Sequence, residues 1–310
     1  MATQTTPSGT PRADLPARVP PVKKRSGAVA PGERSIIAAP STWFVWAGTA
    51  AFFIFLIGIL VSVMVDSLGT SWFNTWLPAS FSIDWYTRAW DRFGMTSVIG
   101  VTLTVAFAVI VISVLVGVPA AYLLARRTFP LKKTVTVLFL LPVLMPPITY
   151  GIPLATVMYN LGLGRTLTAV ILVNLVPSVP FVIMTMTPFI EQINPTIESA
   201  ARMSGASMRK VFTKILMPLL VPGILAASIL VLVRTVGMFE LTFLVSGPSS
   251  DTLVVAIYRA MTAAGGGESR QLISSMAVVY TISMMVILII ALRFVSPVQL
   301  VARVKESRED

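Results

Sequence analysis

No cysteine and no histidine occur in these 310 residues. The first absence excludes disulfides, thiolate metal sites and thiol nucleophiles. The second removes the commonest general base and the commonest metal ligand. Charge is scarce too: Asp, Glu, Lys and Arg make up 12% of the chain, against about 25% in soluble domains. Acid is the scarcer sign, with 13 Asp and Glu against 24 Lys and Arg and a net charge of +11. What fills the chain is hydrophobic, 55% of residues with a mean hydropathy of +0.83, which points to lipid as the solvent. Basic patches interleaved with aromatics are missing, so no nucleic-acid partner is expected. No catalytic cluster, metal site or bound cofactor is expected either.

A helix needs about 20 apolar residues to cross ~30 Å of hydrocarbon. On that measure six spans are predicted, at about 43–65, 97–125, 134–158, 166–190, 219–240 and 271–295. The expected fold is therefore all-α and integral to the membrane. Residues 1–42, with Pro11, Pro16, Pro20, Pro21, Pro31 and Pro40, read as a disordered basic tail. The first apolar run, Trp43 to about Val65, exceeds the 7–15 residues of a signal-peptide core, so no signal peptide is expected. Residues 43–96 hold the first span and an external segment rich in aromatics, namely Trp72, Trp76, Trp85, Tyr86 and Trp90. Residues 97–295 form a five-helix core, and 296–310 a second tail. The piece "SIDWYTRAWDRFG", Ser82 to Gly94, has helical character and is expected to lie along the outer surface.

Proline marks the third and fourth spans. Pro142, Pro146, Pro147 and Pro153 fall in one, and Pro177, Pro180 and Pro188 in the next. Each proline frees a carbonyl that needs another partner. Two arrangements satisfy this: ordinary kinks in a packed bundle, or a broken helix lining a wet path.

Charge sets the orientation. Residues 1–42, 126–133, 191–218 and 293–310 carry eighteen Lys or Arg, and the opposite segments carry five: Arg88, Arg92, Arg165, Arg259 and Arg270. The positive-inside rule then puts both termini in the cytoplasm. Asp66, Asp84, Asp91, Asp251 and Glu268 balance those five cations outside. The whole basic excess is thus cytoplasmic, a topology signal.

The most polar stretch between spans is "ESAARMSGASMRKVFTKILMP", Glu198 to Pro218, inside the cytoplasmic loop 191–218. Asn194-Pro195 reads as an N-cap followed by proline in the first turn, and Gly205 as the stop. Met208, Val211, Phe212, Ile215 and Leu216 then repeat at helical spacing, with Arg209, Lys210 and Lys214 on the other face. Pro218 is expected to close the unit. The first helix is slim, with Ser199, Ala200, Ala201, Ser204 and Ala206. A slim helix fits a groove on a partner protein; the alternative is an interfacial helix held by anionic headgroups.

This loop resembles that of the permease subunits of binding-protein-dependent type I ABC importers. Their motif is E-A-A, three residues, G, nine residues, I-x-L-P. Here it runs Ser199-Ala200-Ala201, Gly205, then Ile215 to Pro218. Ser199 stands where Glu is usual and Met217 where Leu is usual, while Glu198 supplies an acid one position earlier. "AAYLLARRTFP" after the second span and "LGLGRT" before the fourth are also similar to this family, and the likeness covers about residues 95–295. It implies a coupling helix in the cytoplasmic loop, docking on an ATPase through Glu198, Ser199, Ala200, Ala201, Gly205, Ile215 and Pro218. It also implies two cytoplasmic ATPase subunits, a second permease subunit (a heterodimer), an external solute-binding protein, and residence in a bacterial cytoplasmic membrane. ATP would be bound by the partner, in keeping with the missing G-x-x-x-x-G-K-[ST].

Arg234 and Glu240 fall in the predicted fifth span, where a charge costs roughly 2.5–3.5 kcal/mol at mid-membrane. They line the translocation path or form a structural pair. Tyr150 and Asn174 are further path candidates. The turn-forming Gly247, Pro248 and Ser249 follow the fifth span, and in the resembled family this loop approaches the binding protein. "RRTFPLKK", "LGLGRTLTAVIL" and "FELTFLVSGPSSDTLVVAIY" look closest to permeases for polyamines and related small organic solutes. The sugar branch is next, although Gly237-Met238-Phe239-Glu240 replaces its usual W-N-E-F. A secondary transporter or channel, using Arg234 and Glu240 as coupling charges, is the alternative class. A membrane enzyme would need a clustered polar site near one interface, and the sequence offers none.

Overall fold

The computed structural model describes residues 40–294 apart from 74, 76 and 264. Both expected tails lie outside this range, save for the few residues with which the first helix begins, as does Trp76. The chain divides at Leu56, the residues up to it forming one unit and those from Ile57 a second. Among the described residues every regular element is helical; the one extended pairing is a bridge between Gly69 and Phe81.

Helix α1 is Pro40–Leu68, α2 Asp84–Phe93, α3 Met95–Arg126, α4 Lys132–Leu144, α5 Pro147–Asn160 and α6 Leu167–Glu191. Then come α7 Pro195–Met203, α8 Met208–Val211, α9 Met217–Val236, α10 Glu240–Val245, α11 Leu253–Met261 and α12 Arg270–Phe294. Five helical stretches, with α8 and α9 counted as one, are long and apolar enough to cross a membrane; the bent pair α4 and α5 makes the sixth. Five of the six predicted spans are thus found as single helices, and the predicted third corresponds to the bent pair; the shorter α2 is amphipathic.

Prolines act differently in the two marked spans. The third is broken: α4 and α5 meet at 97°. Met145 and Pro146 are extended, with ψ of 144° and 131°. The residue before a proline is driven out of the helical region, and here two consecutive prolines apply that restriction to successive residues. The fourth span is unbroken in spite of Pro177, Pro180 and Pro188 inside α6. It is held by burial on several sides, with Val170, Val173, Val182, Ile183, Met186 and Ile190 all in the core.

The fifth span departs from expectation at both ends. It begins at Met208, not near 219, and runs to Val236. Pro218 does not close the preceding helix; it sits inside a continuous one. A π-helical turn over Phe212–Leu216 makes this possible, with the Met217 amide donating to the Phe212 carbonyl. That wider turn absorbs a residue just before the proline, where an α-helical ring clash would otherwise break the helix. At the other end the helix stops at Gly237, so Glu240 opens a separate helix, α10.

Helices pack closely where glycine removes a side chain. A Cβ on Gly117 of α3 would lie 2.7 Å from Val182 of α6, one on Gly223 of α9 2.8 Å from Phe189, and one on Gly151 of α5 2.9 Å from Leu241 of α10. Small residues at crossings drive helix association where lipid gives no hydrophobic advantage. On the predicted outer side, Asp66 accepts from Arg270 at 2.8 Å and from Ser274 at 2.7 Å, and Arg92 pairs with Glu268 at 2.8 Å. With Arg259 and Asp251 at 2.6 Å, three of the five cations expected there are paired with three of the five acids.

Candidate functional site

The loop between α6 and α9 follows its sequence signals closely. The Asn194 side chain accepts from the Thr196 amide at 2.9 Å, capping α7 with Pro195 in the first turn. At the other end Gly205 has φ of +80°, the left-handed stop that favours glycine. Its amide donates to Arg202, and the Ala206 amide to Ala201. In α8 and the π turn, Val211 and Leu216 are fully buried and Phe212 and Ile215 half-buried, so the apolar stripe faces the bundle.

Of the residues singled out here, Ser199, Ala200, Gly205 and Pro218 are exposed and Ala201 and Ile215 half-buried. Glu198 is different. It is 6% exposed, turned inward, with both carboxylate oxygens engaged. Tyr122 Oη donates to Oε2 at 2.7 Å and Arg126 Nε to Oε1 at 2.8 Å. Arg126 also donates from its terminal nitrogen to the Ile193 carbonyl at 2.6 Å. The Phe212 ring packs edge-on against Tyr122 at 5.6 Å.

The path candidates come from four elements. Arg234 on α9 is half-buried, with its guanidinium 5.7 Å from the Phe181 ring of α6. Its Nε, the Tyr150 hydroxyl and the Thr235 hydroxyl are buried without a hydrogen-bond partner. No ion pair joins Arg234 to Glu240 among the described residues. The break at Gly237 places them on different helices, so the expected separation around one helix does not apply. Asn174 is 1% exposed and ties α6 to α10, donating to Thr242 at 3.2 Å.

In the loop after α10, Gly247 is buried and Pro248 and Ser249 are exposed. A Cβ on Gly247 would meet Arg165 at 2.8 Å. The Arg165 amide donates to Val245 at 2.8 Å and Ser250 Oγ to the Arg165 carbonyl at 3.2 Å. Asp251 is bound by Arg259 at 2.6 Å and by Ser246 at 2.7 Å. The loop is a braced turn with a two-residue exposed tip. No cluster of potential metal ligands occurs among the described residues.

Residues 113–300, more than half of the chain, match the binding-protein-dependent transport system inner membrane components. The chain belongs to this family. It is 33% identical over 157 residues to the probable ABC transporter permease protein y4oR of Sinorhizobium fredii, covering 50% of this chain and 55% of that one. To the trehalose transport system permease protein SugB of Mycobacterium tuberculosis it is 29% identical over 215 residues, covering 69% and 78%. To the molybdenum transport system permease protein ModB of Haemophilus influenzae it is 28% identical over 203 residues, covering 60% and 88%. The alignment thus spans little more than half the length of y4oR. The fold resembles that of a bacterial ABC transporter involved in the import of the acidic polysaccharide alginate, with a TM-score of 0.68 at 15% identity, over 83% of this chain and 99% of that one.

Within this inner membrane component, sequence reasoning grouped Glu198 with the exposed residues of the loop and passed over its two partners. The signal for them was present. Tyr122 and Arg126 stand at i and i+4 at the end of the second span, a spacing that puts both on one face of a helix. Nothing local to either segment shows that Glu198 lies opposite.

Proposed function

We propose that this protein is the permease subunit of an ATP-driven solute importer, oriented with both termini in the cytoplasm of a bacterial cell. The observation that carries the reading is the short, small-residue helix α7, exposed along Ser199 and Ala200 on the charge-rich side and matching the family motif in spacing. Its exposed face docks in a groove on a cytoplasmic ATPase subunit, and two such subunits serve a heterodimer of permeases. An external binding protein delivers solute near Pro248 and Ser249. The solute passes Arg234, Tyr150 and Glu240; the unpartnered Arg234 Nε and Tyr150 hydroxyl are available to a polar guest.

The solute is a small polar organic molecule. A polyamine would use Glu240. The sugar class has its own support in an aromatic group: Phe239 and Phe243 stack at 5.2 Å, and Tyr258 lies 4.8 Å and 5.0 Å from them. Trehalose is the solute in the name of one relative above, and none of the relatives named above carries a polyamine in its name. The two classes separate by mass spectrometry of the solute held by the cognate binding protein.

The docking role is tested by co-expression with the cognate ATPase and purification through a tag on this chain. Ala200→Trp places a bulky ring on the slim face and is expected to lose the ATPase while the chain still inserts in the membrane. Retention of the ATPase by this variant, with uptake undiminished, would remove the docking reading.

A further inference from the structure

The geometry points to Tyr122, Arg126 and Glu198 as a strut that transmits movement of α7 to the membrane-spanning helices; this rests on the proposed docking of α7. None of the three touches solute in this account. They are positioning residues.

A short helix outside the membrane passes on a push only as well as it is fastened. Helix α7 has two routes to the bundle besides the three-residue link, 192–194, that joins its start to α6. The onward covalent route runs through Gly205, at φ +80°, into α8 and then the π turn over Phe212–Leu216. A left-handed glycine and a π-helical turn are places where backbones bend and adjust, so this route is compliant. The other route is the side-chain cluster. Arg126, at the end of α3, holds the Ile193 carbonyl just ahead of α7 at 2.6 Å and the Glu198 carboxylate in its first turn at 2.8 Å. Tyr122, one turn back along α3, holds the other carboxylate oxygen at 2.7 Å. The start of the helix is thus pinned, just before it and in its first turn, by two residues of one other helix. Burial keeps water from replacing these bonds, since Tyr122 is 5% and Glu198 6% exposed. Helix α3 in turn crosses α6 at the Gly117–Val182 contact, where no side chain cushions the two. A shift at Ser199 or Ala200 is therefore delivered to α3 and on to α6, instead of being spent in rotating the loop.

The test uses the full complex of this chain with its ATPase and second permease in liposomes. The chain has no cysteine, so Thr235→Cys, at a buried position beside Arg234, supplies a single thiol on it. Its reaction with a membrane-impermeant maleimide is timed with and without ATP and vanadate. In the parent the nucleotide is expected to change the rate on the order of tenfold, the scale of a typical coupling energy. With Arg126→Lys, which keeps the charge but loses the fork of donors, or the milder Tyr122→Phe, the change is expected to fall below about twofold, while ATP hydrolysis and recovery of the ATPase stay at the parent level. An equal response in parent and variants would overturn the strut. So would a joint fall of response, hydrolysis and ATPase recovery in both variants, because the contacts would then only keep the loop folded. A parent that does not respond at all would refute the importer reading, and the strut with it.

Discussion

A carboxylate removed from water costs several kcal/mol unless its partners compensate. Glu198 meets that cost with one phenolic and one guanidinium donor, and Arg126 with Glu198 and the Ile193 carbonyl. Such groups are interdependent: removing one partner leaves a stranded charge, which is worse than removing both. Arg126→Ala is therefore expected to lower the stability of the detergent-solubilised chain by about 3–5 kcal/mol. The double variant Arg126→Ala, Glu198→Gln should melt at a higher temperature than the single one, since the buried negative charge has gone. A thermal melt of the three proteins side by side checks the order. A double variant no more stable than the single would show that Glu198 is not held as a buried charge. The mid-membrane residues differ in kind, because Arg234 and Tyr150 each keep a buried polar atom without a partner.

At the level of helices, periodicity and length located five spans that are single helices, because a run of some 20 apolar residues has few alternatives in a bilayer. The caps of α7 were equally plain, since Asn194, Pro195 and Gly205 act through their own backbone neighbours. Three features were not visible. Prolines 146 and 147 break a span while 177, 180 and 188 do not, a difference decided by the burial that holds α6 together. The π turn ahead of Pro218 carries no compositional mark, so the loop looked longer than it is. The contact of Glu198 with Tyr122 joins residues 76 apart in sequence, which only the packing of α3 against the loop brings together. Helix crossings are testable at the same scale. Gly117→Val forces atoms into the space of Val182, 2.7 Å from the new Cβ, and should cost about 1–3 kcal/mol as an overpacked contact. Gly100→Ala, on the same helix with nothing within 4 Å, should cost nothing measurable. Equal melting temperatures for the two would contradict the close α3–α6 crossing.

For the molecule as a whole, charge and polarity divide the work. The slim helix is proposed for the cytoplasmic side, and a braced loop and the pairs Asp66–Arg270, Arg92–Glu268 and Asp251–Arg259 for the other. Unpartnered polar atoms lie between them. In the proposed account the work of transport enters from another chain, and α7 is the place of its entry. The competing account, in which Arg234 and Glu240 couple transport to an ion gradient, makes the opposite demand on the energy source. The most direct measurement is uptake into liposomes holding the purified complex, with the solute-loaded binding protein outside and ATP inside. The account predicts accumulation that requires both ATP and the ATPase and survives ionophores that dissipate every ion gradient. Accumulation by this chain without the ATPase, driven by an imposed ion gradient and abolished by those ionophores, would contradict it.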